Sequence, residues 1–145
     1  MQTCKDVMTK QVSCCLPGDT ARQVAQLMKA EDVGAVPVID NQQSKKLQGM
    51  VTDRDIAMKI VAEVHDPKNT KIEAIMTREV VTCTADDSVE EALDAMSHHQ
   101  IRRIPVVDAE RRVIGIIAQA DVATRVREPR KTGEVVQEIS RRKAA

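Results

Sequence analysis

The segment Thr52-Asp-Arg-Asp55 sets a hydroxyl and a carboxylate three residues apart. If it opens a helix after a strand, Thr52 can offer its hydroxyl to an anion such as phosphate, backed by the amides of the helix start. Asp55, one turn on, can accept from both hydroxyls of a vicinal diol. The same spacing is also a capping box, in which the threonine contributes about 1 kcal/mol to a helix start. Both readings stay open. A second carboxylate, Asp121, ends a matching segment in which Ala118 replaces the threonine. Its persistence without the hydroxyl points to a role beyond capping, although an Asp in a first turn is favourable by itself. Arg102 and Arg103 are adjacent at a strand entrance, where they point to opposite sides. By themselves they read as surface salt-bridge formers.

Other reactive residues are less organised. His98 and His99 end a helical pattern, where the helix dipole favours a positive imidazole. With Cys14 or Cys15 they could form a Cys/His zinc site, but the spacing matches no zinc motif. Cys4, Cys14, Cys15 and Cys83 form no CxxC, so neither a disulfide framework nor a zinc knuckle is expected. No Ser-His-Asp or Cys-His set and no Gly-rich phosphate loop stands out, so the chain reads as no enzyme. No metal or required cofactor is expected.

The elements that must position these residues come twice. Residues 7–40 align with 75–108 without a gap, and nine of the 34 pairs are identical, among them Met8/Met76, Thr9/Thr77, Cys15/Cys83, Pro37/Pro105 and Asp40/Asp108. The match resumes at 47–55 against 113–121, keeping Gly49/Gly115 and Asp55/Asp121. Two copies of about 60 residues follow, each too small to be comfortable alone. Each reads β-α-β-β-α. A short strand lies around 12–14 and 80–83. A helix follows, with Val89, Ala92, Leu93 and Met96 as one stripe and Ala21, Val24, Ala25 and Met28 as the other. Ser88 with Glu91, and Thr20 with Gln23, are its capping boxes. Prolines 37 and 105 belong at a strand start or edge. A third strand covers 48–51 or 113–117, and a second helix 53–64 or 121–127. The expected fold is α/β (α+β) with three-stranded sheets, divided as 1–66, 67–127 and a tail at 128–145. Met28, Met58, Met96 and Met50 read as core fillers, and Gly49 as a place of close backbone approach.

Composition excludes further classes. The 145 residues hold 22 basic and 22 acidic side chains and no Phe, Tyr or Trp. A net charge of zero and the absence of aromatic stacking platforms make nucleic acid an unlikely partner. No apolar run is long enough for a membrane span, and no signal peptide is seen, so a cytoplasmic setting is expected. Residues 125–145 carry seven Lys/Arg and three Asp/Glu, a net +4 that the rest of the chain balances at −4. Val135, Val136 and Ile139 give this tail the pattern of a short helix.

The paired motifs resemble a tandem of cystathionine-beta-synthase (CBS) domains. They are Val7-Met-Thr and Ile75-Met-Thr, Gly34-Ala-Val-Pro-Val-Ile-Asp40 and Ile101-Arg-Arg-Ile-Pro-Val-Val-Asp108, and Gly49-Met-Val-Thr-Asp-Arg-Asp55 and Gly115-Ile-Ile-Ala-Gln-Ala-Asp121. The resemblance covers about residues 3–126. It implies a pseudo-two-fold pair with two clefts that bind AMP, ADP, ATP or S-adenosylmethionine, association into a homodimer, and control of another, unidentified protein. Carried over by position, one cleft combines Thr52 and Asp55 with Val81, Thr82, Arg102, Arg103, Ile104 and Pro105. The second, weaker cleft combines Asp121 with Ser13, Cys14, Ala35, Val36 and Pro37. A constitutive dimerisation scaffold without ligand and a zinc- or redox-responsive module are the alternatives.

Overall fold

The computed structural model describes residues 2–125, so the tail expected at 128–145 lies outside the described residues. In chain order the elements are α1 (Cys4–Val7), α2 (Ala21–Glu31), β1 (Ala35–Ile39), β2 (Leu47–Thr52), α3 (Asp53–Ile56), a π-helical turn at Ala57–Val61, a 3-10 turn at Ile72–Ala74, β3 (Cys83–Thr84), α4 (Val89–His99), β4 (Arg103–Val107), β5 (Val113–Ala118) and α5 (Gln119–Arg125). The mixed α/β class is the one expected from the sequence, and the expected β-α-β-β-α order is complete in the second copy.

Local rules account for the two long helices. The Thr20 hydroxyl accepts from the Gln23 amide at 3.2 Å, and the Gln23 side chain accepts from the Thr20 amide at 2.8 Å. Ser88 and Glu91 repeat this reciprocal cap at 3.1 and 3.3 Å. Both helices stop at a left-handed residue, Asp32 (φ 54°) and Gln100 (φ 55°). Their apolar stripes are buried, with Ala21, Val24 and Met28 in α2 and Val89, Ala92, Leu93 and Met96 in α4. Each large side chain so buried contributes about 1.5–3 kcal/mol. Asp40 and Asp108 organise the two hairpin turns. One oxygen of Asp40 accepts from the Asn41 and Lys46 amides, and one oxygen of Asp108 accepts from the Glu110 and Arg112 amides.

The copies are not identical. β4 pairs antiparallel with β5 and parallel with β3, giving three strands. In the first copy β1 pairs only with β2, and its expected first strand shrinks to a single parallel bridge between Cys15 and Val38. The expected helix over 53–64 changes pitch at Ala57, where the Ala62 amide reaches back five residues to the Ala57 carbonyl. Met58, expected in a core, is 52% exposed on this turn, while Met28 and Met96 are buried.

The compact units also cut across the linear copies. One unit is Ser13–Val80, and the other joins Met1–Val12 to Val81–Ala145. Boundaries at 66 and 67 therefore describe the repeat and not the packing. The reason lies in each copy's opening segment. Thr9 bridges Ile116, with amide–carbonyl bonds of 2.9 and 3.0 Å, so the opener of copy one closes on β5. Thr77 bridges Met50, at 2.8 and 2.9 Å, so the opener of copy two closes on β2. Gly115 lies under the Met8 side chain and Gly49 under that of Met76. A Cβ on Gly49 would stand 2.7 Å from the Thr77 carbonyl oxygen. The close approach read at Gly49 is thus made by the other copy's Met-Thr.

Candidate functional site

In the Ser13–Val80 unit, β2 delivers Thr52 to the start of α3. The Thr52 hydroxyl accepts from the Asp55 amide at 3.1 Å, and Asp55 Oδ2 accepts from the Thr52 amide at 2.9 Å. The capping box is complete. Asp55 Oδ1 stands 3.2 Å from Lys59 Nζ, which also donates to the Ile75 carbonyl at 2.9 Å. The Asp55 side chain is 15% exposed, so it is shielded and still reachable. A carboxylate offers about four acceptor positions, and these two contacts leave room for a diol.

In the other unit, β5 delivers Ala118 to the start of α5. Asp121 Oδ2 accepts from the Ala118 amide at 2.8 Å, the same bond that Asp55 makes. The carboxylate half of the capping box therefore survives without the hydroxyl. This removes the argument that Asp121 would be idle as a cap partner beside Ala118. Asp121 Oδ1 accepts from the Thr9 hydroxyl at 3.4 Å, so a neutral donor stands where Lys59 stands beside Asp55.

Strand register regroups the remaining candidates. Ala35 lies opposite Thr52, Val36 opposite Val51 and Pro37 opposite Met50. The Cys15–Val38 bridge sets Ser13 and Cys14 along the other edge of β1. Ser13, Cys14, Ala35, Val36 and Pro37 thus share a unit with Thr52 and Asp55. Likewise Arg103 lies opposite Ala118, the Arg102 carbonyl accepts from the Gln119 amide at 2.9 Å, and Cys83–Thr84 runs beside β4. Val81, Thr82, Arg102, Arg103, Ile104 and Pro105 share a unit with Asp121. The direct neighbours of the Thr52 strand end are Ala35 and Gly34, because antiparallel pairing inside one hairpin fixes them there.

Burial separates what these residues can offer. Val36 and Ile104 are fully buried members of the two hydrophobic clusters, so their side chains are core. Arg102 is exposed and Arg103 half-buried. Among the described residues neither arginine is in an ion pair. Beside Asp53, a Cβ on Gly34 would meet Oδ2 at 3.0 Å, whereas the matching position of the other copy carries Arg102.

Among the described residues no group of three or more His, Cys, Asp or Glu could hold a metal ion. His98 and His99 are exposed at the end of α4, their rings edge to face at 4.8 Å. Burial pushes the Cys14 thiol up to about 11 and the Cys15 thiol up to about 12, so both are protonated at neutral pH. Sequence reasoning passed over Lys59, which a carboxylate four residues earlier could have flagged as an i,i+4 pair.

The CBS domain model matches twice, over residues 4–62 and 72–128. The chain is 38% identical over 140 residues to the CBS domain-containing protein YhcV of Bacillus subtilis, covering 97% of this chain and 96% of that one. It is 36% identical over 123 residues to Hypoxic response protein 1 of Mycobacterium tuberculosis, covering 85% and 84%. The CBS domain pair of protein MJ0100, solved with 5'-methylthioadenosine and S-adenosyl-L-methionine, superposes with a TM-score of 0.75 at 31% identity, covering 85% of this chain and 94% of that one. Hypoxic Response Protein I, solved with two coordinated zinc ions, superposes with a TM-score of 0.77 at 34% identity, covering 86% and 99%. No helix among the described residues is long and apolar enough to cross a membrane. With the repeat matched twice and full-length stand-alone relatives, the chain belongs to the CBS domain family as a tandem CBS pair.

Proposed function

We propose that this CBS pair is a regulatory, non-catalytic module that binds adenosine ligands at its two strand–helix junctions. The carrying observation is the twin carboxylate. Asp55 and Asp121 each accept one backbone amide, at 2.9 and 2.8 Å, and a carboxylate is the acceptor that a ribose diol calls for. The adenosine ligands of the MJ0100 pair support the ligand class. The chain's lack of aromatic residues means adenine would lie against aliphatic side chains and backbone.

The regrouped residues give the two junctions different ligand preferences. Asp121 has Arg102 and Arg103 in its unit, so it suits a phosphorylated nucleoside such as AMP, ADP or ATP. Asp55 has Thr52 and Lys59 but no arginine from the pre-proline strand, so it suits S-adenosylmethionine or another ligand of low negative charge. Binding shifts a conformational equilibrium that another protein reads, by as much as the ligand's affinity differs between the two states. The chain acts as a homodimer in this reading. The exposed Met58, Val61 and Val64 and the hexameric CBS-CP12 neighbour support self-association.

Calorimetric titration with AMP, ADP, ATP and S-adenosylmethionine tests the proposal. Micromolar binding of at least one ligand, weakened by Asp55→Asn or Asp121→Asn, is expected. No heat at millimolar ligand leaves only the ligand-free scaffold. Purified protein offers a quicker check, since without aromatic residues a band near 260 nm reports a retained nucleotide.

A further inference from the structure

A helix start leaves its first amides without a helical partner, and in α3 these amides are already bonded. The Thr52 amide donates to Asp55 Oδ2 at 2.9 Å, and the Asp55 amide to the Thr52 hydroxyl at 3.1 Å. The Asp53 amide donates to the Gly34 carbonyl at 2.9 Å, and the Arg54 amide to Asp53 Oδ1 at 2.8 Å. The expectation that these amides would back a phosphate is therefore not met. Two of them go to the carboxylates of Asp53 and Asp55, which take the anion's place.

The two carboxylates differ in their surroundings. Asp55 has the Lys59 ammonium at 3.2 Å, whereas none of the ion pairs among the described residues includes Asp53. Asp53 is exposed, and its Oδ2 would lie 3.0 Å from a Cβ placed on Gly34. A side chain at position 34 would crowd this carboxylate, so the glycine makes room for it. The other copy reverses the charge on the same frame. There the Gln119 amide donates to the Arg102 carbonyl at 2.9 Å, the bond that Asp53 makes to Gly34. A carboxylate beside a glycine becomes a neutral carboxamide residue beside an exposed arginine.

We propose that Asp53 is the specificity-determining residue of the Asp55 junction, turning away phosphorylated adenosine ligands and favouring cationic ones such as S-adenosylmethionine. The inference rests on the adenosine-binding function proposed above and assigns its discrimination to one side chain. A ligand with its diol on Asp55 and its 5' end at Thr52 carries its 5' substituent to the residue that follows Thr52, which is Asp53. A phosphate there meets a like charge and amides already taken. The 5' sulfonium of S-adenosylmethionine meets an opposite charge. Both effects are Coulombic at an exposed position, so both weaken as ionic strength rises.

Calorimetry on the full chain tests this with AMP, adenosine and S-adenosylmethionine. The Asp121→Asn background silences the other junction, and Asp53→Asn is compared with that parent. Asparagine keeps an oxygen for the Arg54 amide, so the helix start is retained and the melting temperature should stay unchanged. AMP affinity should rise about tenfold, adenosine affinity should hold within about twofold, and S-adenosylmethionine affinity should fall. Added sodium chloride should shrink the AMP gain, which a mere loosening of the helix start would not produce. Parallel changes in all three ligands, or adenosine binding without an AMP gain, would overturn the proposal and leave the adenosine reading standing. No binding of any of the three to either chain would overturn the adenosine reading and this proposal with it.

Discussion

At the end of β2 a carboxylate accepts from the Thr52 amide and faces the Lys59 ammonium. At the end of β5 its twin accepts from the Ala118 amide and the neutral Thr9 hydroxyl, and Arg103 lies opposite Ala118 on the neighbouring strand. The backbone frame of the two junctions is shared, down to the amide bond from the residue after the strand to the pre-proline carbonyl, Asp53 to Gly34 and Gln119 to Arg102. What differs is the charge placed around it. Two copies of one scaffold thus keep the carboxylate and diverge in its neighbours, and under the proposed function that difference is what distinguishes two ligands.

The largest expected effect tests the shared frame. Gly49→Ala should cost about 2–3 kcal/mol, because its Cβ meets the Thr77 backbone as well as the Met76 side chain. Gly115→Ala should cost about 1 kcal/mol, because only the pliable Met8 side chain is in the way. Urea denaturation of both variants checks the order, and equal or absent losses would break the account of the exchanged openers.

The difference in charge comes next. Arg103→Ala should weaken binding of a phosphorylated nucleoside about tenfold, in line with loss of one charge-assisted hydrogen bond. It should leave S-adenosylmethionine binding unchanged. If the two ligands lose affinity together, or neither does, the assignment of charge to junction is wrong.

Capping gives a smaller, paired effect. Thr52→Ala should destabilise by about 1 kcal/mol through loss of the hydroxyl half of its box. Ala118→Ser, which supplies the missing half in the other unit, should stabilise by about 0.5 kcal/mol. Thermal melts of both variants decide it, and a destabilising Ala118→Ser would show that β5 leaves no room for the hydroxyl.

The smallest effect concerns the turns. Ser44 and backbone amides hold the Asp40 carboxyl below its ordinary pKa, and the Arg112 amide and guanidinium do the same for Asp108. A lowered folded pKa contributes stability above the ordinary carboxylate range and loses it as pH falls through the folded value. Melting temperature should therefore fall on acidification below about pH 4, where these carboxyls take up protons. Asp40→Asn and Asp108→Asn should each flatten that fall. Salt should weaken only the Asp108 effect, because only its partner Arg112 is charged, bonded at 2.8 Å.

Much of this was legible in the chain because it is local. A capping box needs two residues three apart, and Thr20/Gln23, Ser88/Glu91 and Thr52/Asp55 all formed as spelled. The buried stripes of α2 and α4 followed from 3.6-residue periodicity. The aspartates at 40 and 108 were visible as identities, though their role in the turns needed the coordinates. Met58 and the π-helical turn escaped, because a change of helical pitch leaves no mark in an apolar pattern.

The sequence by itself determined the repeat, the capped helix starts and the family, since each rests on residue types at short, fixed spacings. Only the tertiary structure decided which segments complete one another. Met8 and Thr9 close on β5, and Met76 and Thr77 close on β2. These are pairings between distant segments, and both openers carry the same Met-Thr, so the sequence is silent on which partner each one takes. The register inside each hairpin then set Ala35 opposite Thr52 and Arg103 opposite Ala118.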